Sequence, residues 1–211
     1  LGGGGAERVL ALMVNSLAQN RKYEISVITL YNGNEAYHLD PTVKRIQIRR
    51  NKLITNLTLS SIINLIRQYK KKSDRPDVII SFATTTNFIT IIVAKLFSIK
   101  IIAQEHISHV GSGQKKRLIT NITRKYLYKK ADVVTVLTSF DVNYYKKYGT
   151  EVYVMPNPCS FKSITENSHK REKIILAIGS LNRYHHKGFD TLINLMVPIF
   201  SKYPDWRLKI A

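Results

Sequence analysis

Three groups of residues in this 211-residue chain have the type and spacing to do chemistry. The first is the glycine run of "LGGGGAER", Gly2 to Gly5, which leads straight into an apolar-periodic segment. Bare backbone at the mouth of a helix lets amide N–H groups approach a phosphate, with the positive end of the helix dipole aimed at it. The spacing matches no standard phosphate loop. A G-x-G-x-x-G pattern would need its last glycine at Glu7 in one register and at Arg8 in the other, and G-x-x-x-x-G-K-[ST] is absent. A merely flexible start is the other reading of these glycines; Glu7 in the first turn suits a helix dipole.

The second group lies in "LAIGSLNRYHHKGFDTLINLMV", residues 176–197. After an apolar strand pattern, Gly179 permits a tight turn, Arg183 and Lys187 supply two cations, and Gly188 opens the next helix. Such a loop can hold a diphosphate, although loop cations are as often simply solvated. The third is His106 in "QEHIS". It stands where a strand pattern ends, and open α/β sheets bind ligands at that edge. An imidazole there can hydrogen-bond a hydroxyl or ease developing charge, or it can merely cap the strand.

The other candidates carry less. His185 and His186 are adjacent and lack the i, i+4 spacing that sets two metal ligands on one helical face, and nothing else in the chain suggests a metal site. Cys159 is the only cysteine, which excludes an internal disulfide and a cysteine-based zinc cluster and fits a reducing compartment.

The elements that must position these residues are legible from period. Strand patterns fall at residues 23–30, 43–48, 76–82, 99–105, 131–137 and 151–156, several of them near-continuous Val/Ile runs expected of strands buried on both faces of a parallel sheet. Helical patterns fall at 6–20, with Val9, Leu10, Met13 and Leu17 on one face, and at 57–72, 86–97, 114–130 and 139–147, with Gly149 as a natural stop. Strand and helix alternate, which predicts an α/β, Rossmann-like, doubly wound parallel sheet. The stretch "PNPCSFKSITENSHKREK" then breaks the pattern with two prolines and many polar residues. We divide the chain into a domain over 1–156, a linker over 157–172, and the start of a second Rossmann-like domain over 173–211. On this reading the first strand of the first domain and most of the second domain lie outside the 211 residues, and the piece by itself is expected to be inactive.

Charge restricts the partners. Thirty-three Lys and Arg against 14 Asp and Glu give a formal net charge of +19, so the surface attracts anions over a Debye length of roughly 8 to 10 Å. Basic runs such as "KRIQIRRNK", "RQYKKK", "QKKR", "RKYLYKK" and "YYKKY" interleave with tyrosines, a mixture that suits an anionic membrane interface as well as ordinary solvated helix faces. No RNA-binding signature or C2H2 spacing accompanies them, so nucleic acid is not the expected partner. No apolar run reaches the roughly 18 to 20 residues of a membrane span, and the expected compartment is the cytoplasm.

The ordered set "GGAER", "PDVIISF", "EH", "KKADVVTVLTS", "MPNP" and "IGSLNRYHHKGFDTLI" resembles the family 4 glycosyltransferases of the GT-B fold, over nearly the whole chain. The resemblance implies two Rossmann-like domains with a nucleotide sugar between them. It implies transfer to a glycan or lipid-linked acceptor, in cell-surface polysaccharide or glycoconjugate synthesis in bacteria, with retention of anomeric configuration. By the same resemblance, Gly4 and Gly5 approach the donor diphosphate from one side, and Lys187 and Gly188 contact it from the other. Arg183 substitutes for the arginine that commonly follows the strand glycine, where this chain has Ser180, and His106 stands beside the transferred sugar. No cofactor or metal is expected, the nucleotide sugar being a substrate. The rival is a non-enzymatic basic α/β module that docks on nucleic acid or on an anionic membrane.

Overall fold

A computed structural model describes residues 3–30, 36–48, 54–110, 117–159, 161 and 171–211. The remaining residues include parts of the basic runs at 44–52 and 114–117 and most of the expected linker, and those expectations lie outside the described residues. The chain divides into two compact units, Leu1–Ser160 and Phe161–Ala211.

In the first unit, helix α1 (Gly5–Ala18) precedes strands β1 (Ser26–Thr29) and β2 (Lys44–Gln47), which pair in parallel. The buried positions of α1 are Val9, Ala11 and Val14. Ala11 and Val14 join Val27, Leu39 and Val43 in a small cluster. The helix is therefore rotated from the face its apolar spacing predicts, and Met13 and Leu17 are left to line a cleft. Helix α2 (Leu57–Gln68) is capped by Asn56, whose side chain accepts from the Thr58 and Leu59 N–H groups.

Four strands form the second sheet, in the order β3 (Val78–Phe82), β4 (Lys100–Gln104), β5 (Val133–Val136) and β6 (Val152–Val154), all parallel. A parallel pair needs a crossover, and α3 (Thr84–Leu96) supplies it between β3 and β4. Its Ile89, Ile91, Val93 and Ala94 are wholly shielded and pack with Ile101, Ala103, Val134 and Tyr128 in the main core. The central strands β4 and β5 are buried or half-buried at nearly every position, which fits their apolar runs, whereas edge strand β3 leaves Val78 and Ile80 exposed.

The helix expected over 114–130 is broken. Helix α4 (Arg117–Ile122) passes into a π-helical turn (Thr123–Leu127) and then a 3-10 turn (Tyr128–Lys130). The helix expected over 139–147 begins as a 3-10 turn (Ser139–Asp141) and becomes α5 (Val142–Lys146), with Gly149 beyond it at φ 73°. In both places a buried polar side chain, Arg124 or Asp141, has hydrogen-bond partners outside its own helix, and the irregular turn serves that contact.

In the second unit, β7 (Ile174–Ala177) pairs in parallel with β8 (Arg207–Ile210). Between them run a 3-10 turn (Leu181–Arg183), α6 (Tyr184–Lys187) and α7 (Phe189–Lys202).

Candidate functional site

Period-2 alternation at the end of β4 sets the geometry of the first unit's site. Gln104 and His106, with part of Glu105, line a cleft of about 310 Å3 walled by Val9, Leu12, Met13 and Leu17 of α1 and by Met155 to Pro158. The Glu105 side chain between them is buried against Arg124, Tyr128 and Tyr145. His106 thus stands at the carboxyl end of a parallel strand, half-buried, stacked on Phe82 at 5.3 Å between ring centroids.

Burial of the ring holds His106 below the ordinary histidine range, against the opposing pull of Glu105, a hydrogen bond with Asn157, and Glu7. A neutral imidazole results near neutral pH. Its Nε2 has no hydrogen-bond partner among the described residues, and neither does Gln104 Oε1 in the same cleft. Both atoms are shielded from solvent, so a hydroxyl or amide of a bound molecule reaches them only after a side-chain shift that opens them to the cleft.

The glycine turn lies just ahead of this cleft in the chain: the first α1 residue to line it is Val9, and Glu7 acts on His106 through its charge. Gly4 is extended (φ −84°, ψ 166°), accepts from the Arg8 N–H at 3.1 Å and the Tyr37 hydroxyl at 3.2 Å, and is followed by the first helical residue, Gly5. A Cβ on Gly4 would collide with the Glu7 carboxyl, whereas one on Gly5 would meet nothing within 4 Å. Gly5 is therefore the more open of the two glycines.

Glu105 is the centre of a buried polar network. It takes an ion pair from Arg124 at 3.0 Å and hydrogen bonds from the hydroxyls of Thr84 (2.6 Å), Tyr128 and, at a longer 3.4 Å, Tyr145. Burial and the neighbouring carboxylate push the Tyr128 and Tyr145 hydroxyls far up, so both remain donors. Asn87 ties the Tyr128 hydroxyl to the Gln104 carbonyl, at 3.0 Å each. Asp141 accepts from Ser108 at 2.8 Å and from the His109 N–H at 3.0 Å, and its oxygen lies 2.6 Å from His109 Nδ1. Burial of Asp141 opposes its ionisation, but these bonds prevail and its carboxyl sits below the usual range.

Sequence reasoning missed these partners. Arg124 and Tyr128 lie in "RKYLYKK" and Tyr145 in "YYKKY", both taken as surface runs, yet each of these residues is at most 2% exposed. Lys129, Lys130, Lys146 and Lys147 keep the exposure or half-exposure the runs predict.

In the second unit, Gly188 adopts φ 69°, ψ 23° as the residue before α7, a left-handed conformation that favours glycine. Lys187 is exposed immediately before it. A Cβ on Gly179 would lie 3.0 Å from the Phe189 ring and 3.4 Å from the Lys187 stem, so the bare glycine lets the loop close over its strand. Arg183 ends the 3-10 turn; only its backbone is described. His185 Nδ1 lies 2.6 Å from Asp190 Oδ2, which occupies that imidazole with a helix-start contact.

The parallel sheets define an α/β fold of the GT-B type. Two solved structures share this architecture: the lipopolysaccharide outer core galactosyltransferase WaaB in its apo form (TM-score 0.63, 17% identity, 99% of this chain and 57% of that one) and MurG of Acinetobacter baumannii (0.58, 17%, 99% and 63%). The chain belongs to glycosyltransferase family 4, whose description matches residues 3–161. Among curated relatives, a Campylobacter jejuni N-acetyl-D-galactosaminyltransferase acting on an undecaprenol-diphosphate-linked GalNAc glycan is 31% identical over 89% of this chain and 52% of the relative. The amylovoran biosynthesis glycosyltransferase AmsD of Erwinia amylovora is 28% identical over 99% of this chain and 58% of its own length. The chain spans about half the length of these relatives.

Proposed function

We propose that the full protein transfers a sugar from a nucleotide-sugar donor to a hydroxyl of a glycan or lipid-linked acceptor, with retention of configuration, in the synthesis of a bacterial cell-surface polysaccharide or glycoconjugate. The family match over residues 3–161 carries this reading. The site adds a neutral, partly buried imidazole at the carboxyl end of a central strand, its shielded Nε2 without a hydrogen-bond partner among the described residues. In this reading His106 hydrogen-bonds the sugar undergoing transfer, and Gly4, Gly5, Arg183, Lys187 and Gly188 are the residues that contact the donor diphosphate. The protein works in the cytoplasm, where its surplus of cations lets it sit against anionic lipid beside a lipid-linked acceptor. No helix among the described residues is long and apolar enough to cross a membrane.

The test uses the full-length protein with a panel of UDP- and GDP-linked hexoses and N-acetylhexosamines, scoring release of the nucleoside diphosphate. His106→Ala is expected to lower turnover by about 100-fold, and Lys187→Ala to weaken nucleoside-diphosphate binding by about tenfold. An unchanged nucleotide affinity together with tight, salt-sensitive RNA binding would return the charge-only alternative, a non-enzymatic anion-binding module, to first place.

A further inference from the structure

The Glu105–Arg124 pair is hard to explain as a stabilising element. Both side chains are 2% exposed, and at such burial the desolvation of two charges offsets most of their attraction, so that paired apolar replacements are often neutral or better. Arg124 also leaves its Nε without a partner among the described residues, a further cost in a dry site.

What the pair does accomplish is geometric. One Arg124 nitrogen donates to Glu105 Oε2 at 3.0 Å and to the Ile107 carbonyl at 3.4 Å, and the other to the His109 carbonyl at 3.3 Å. The guanidinium fork therefore holds the chain at 105, 107 and 109, on both sides of His106. The other carboxylate oxygen of Glu105 binds Thr84, the first residue of α3, directly after Ala83, which is held at φ 70°, ψ 146° with its N–H on the Gln104 carbonyl. Strained backbone of this kind persists only where surrounding contacts over-determine it. Both neighbours of the imidazole, the β3–α3 turn under Phe82 and the segment leaving β4, are thus tied to one carboxylate.

We propose that Glu105 and Arg124 are positioning residues for His106: by fixing residues 105, 107 and 109 on the far side of the sheet end, they leave the imidazole one direction to face, into the cleft. This rests on His106 being the group that meets substrate. The pair touches no reactant and acts only through the ring.

The decisive variant is Glu105→Gln/Arg124→Met, which removes both charges together while leaving an amide to accept from Thr84 and Tyr128. Full-length protein labelled with 15N-histidine reports the His106 ring, assigned by its loss in His106→Gln. Melting within about 4 °C of the parent is expected. The ring, released into water, should titrate upward towards the unperturbed value of about 6.5, and its single set of resonances should broaden or double. A ring that stays in place must do the reverse or nothing, because Glu105 and Glu7 are the charges facing it and each raises its pKa; an unchanged or lowered titration point overturns the proposal. Arg124→Lys provides the same decision should the double variant not fold. Its single ammonium can satisfy Glu105 but cannot also span both carbonyls, so the same upward shift is expected, and parental behaviour again refutes positioning. Turnover separates this from the underlying reading: if His106→Ala transfers sugar at the parental rate, the substrate-facing role fails, while the ring titration still decides whether the pair orients it.

Discussion

The sheet β3–β6 and the β7–β8 unit are written in the same local pattern, parallel strands joined by helices, yet they differ in what fixes their functional residues. Around β4 the fixing is done by packing: Ile89, Ile101 and Val134 are wholly shielded, and the polar side chains among them are cross-linked through Glu105. Among the described residues of the second unit, Phe189 and Met196 are buried. There the position of Lys187 is fixed by backbone conformation, through Gly188 and the close approach at Gly179. A side chain held by packing is displaced by changing volume or charge at a distance, whereas one held by a turn is displaced by changing the turn.

The largest expected effect tests the first half of that contrast. Arg124→Met alone leaves the Glu105 carboxylate buried and unpaired, which costs about 3 to 5 kcal/mol; chemical denaturation should show most of the stability of the first unit gone, and a loss below 1 kcal/mol would mean that the carboxylate is readily neutralised or solvated. Next, Ile89→Ala should cost about 2 to 5 kcal/mol, while Leu118→Ala, at an exposed position of α4, should change stability by no more than about 0.5 kcal/mol; similar costs for the two would mean that packing around β4 does not fix this unit. The turns give a smaller, opposite-signed pair. Gly188→Ala forces a Cβ into a left-handed conformation for about 1 kcal/mol, and Ala83→Gly should relieve φ 70° and stabilise by up to about 1 kcal/mol; thermal melts of both variants decide the sign.

The smallest effect is in acid. The Ile101 N–H and the Lys95 ammonium hold the Asp132 carboxyl below its usual range. A depressed carboxylate contributes stability that is complete above its unfolded value of about 3.9 and is lost as pH falls through the lower folded value. Melting curves from pH 7 to 3 should therefore show a shallower acid limb for Asp132→Asn than for the parent. Because the carboxyl is 41% exposed, the difference is a fraction of what a buried pair would give. An unaltered acid limb would remove Asp132 from the acid response.

The central strands were readable because burial at nearly every position writes a continuous apolar run, as in "IKIIAQ"; the edge strand "VIISF" carries the same kind of run although Val78 and Ile80 are exposed. Strand β1 is shorter than the pattern at 23–30 suggests, since pairing with β2 ends at Thr29↔Gln47. His106 was readable as a polar residue closing such a run. Glu105 was not, although it is adjacent. Its partners come from 21 residues upstream and from 19, 23 and 40 residues downstream, and nothing in local spacing distinguishes a buried arginine in "RKYLYKK" from its solvated neighbours. The rotation of α1 was hidden for a similar reason: Ala11 is a weak apolar signal, but its small size lets the helix settle against the Val27 cluster.

The π-helical turn at Thr123–Leu127 gives the chain a specific sensitivity to length. Each residue of an ordinary helix turns the next side chain by about 100°. Removing one residue from this turn would restore regular winding and satisfy every local propensity, while swinging Tyr128 off Glu105 and shifting the lead-in to β5. Length variation is usually tolerated in surface helices. In a pedigree of related chains this helix should accept almost any substitution on its outer side and almost no insertion or deletion, and a natural variant one residue shorter here should carry a compensating change at the position of Glu105.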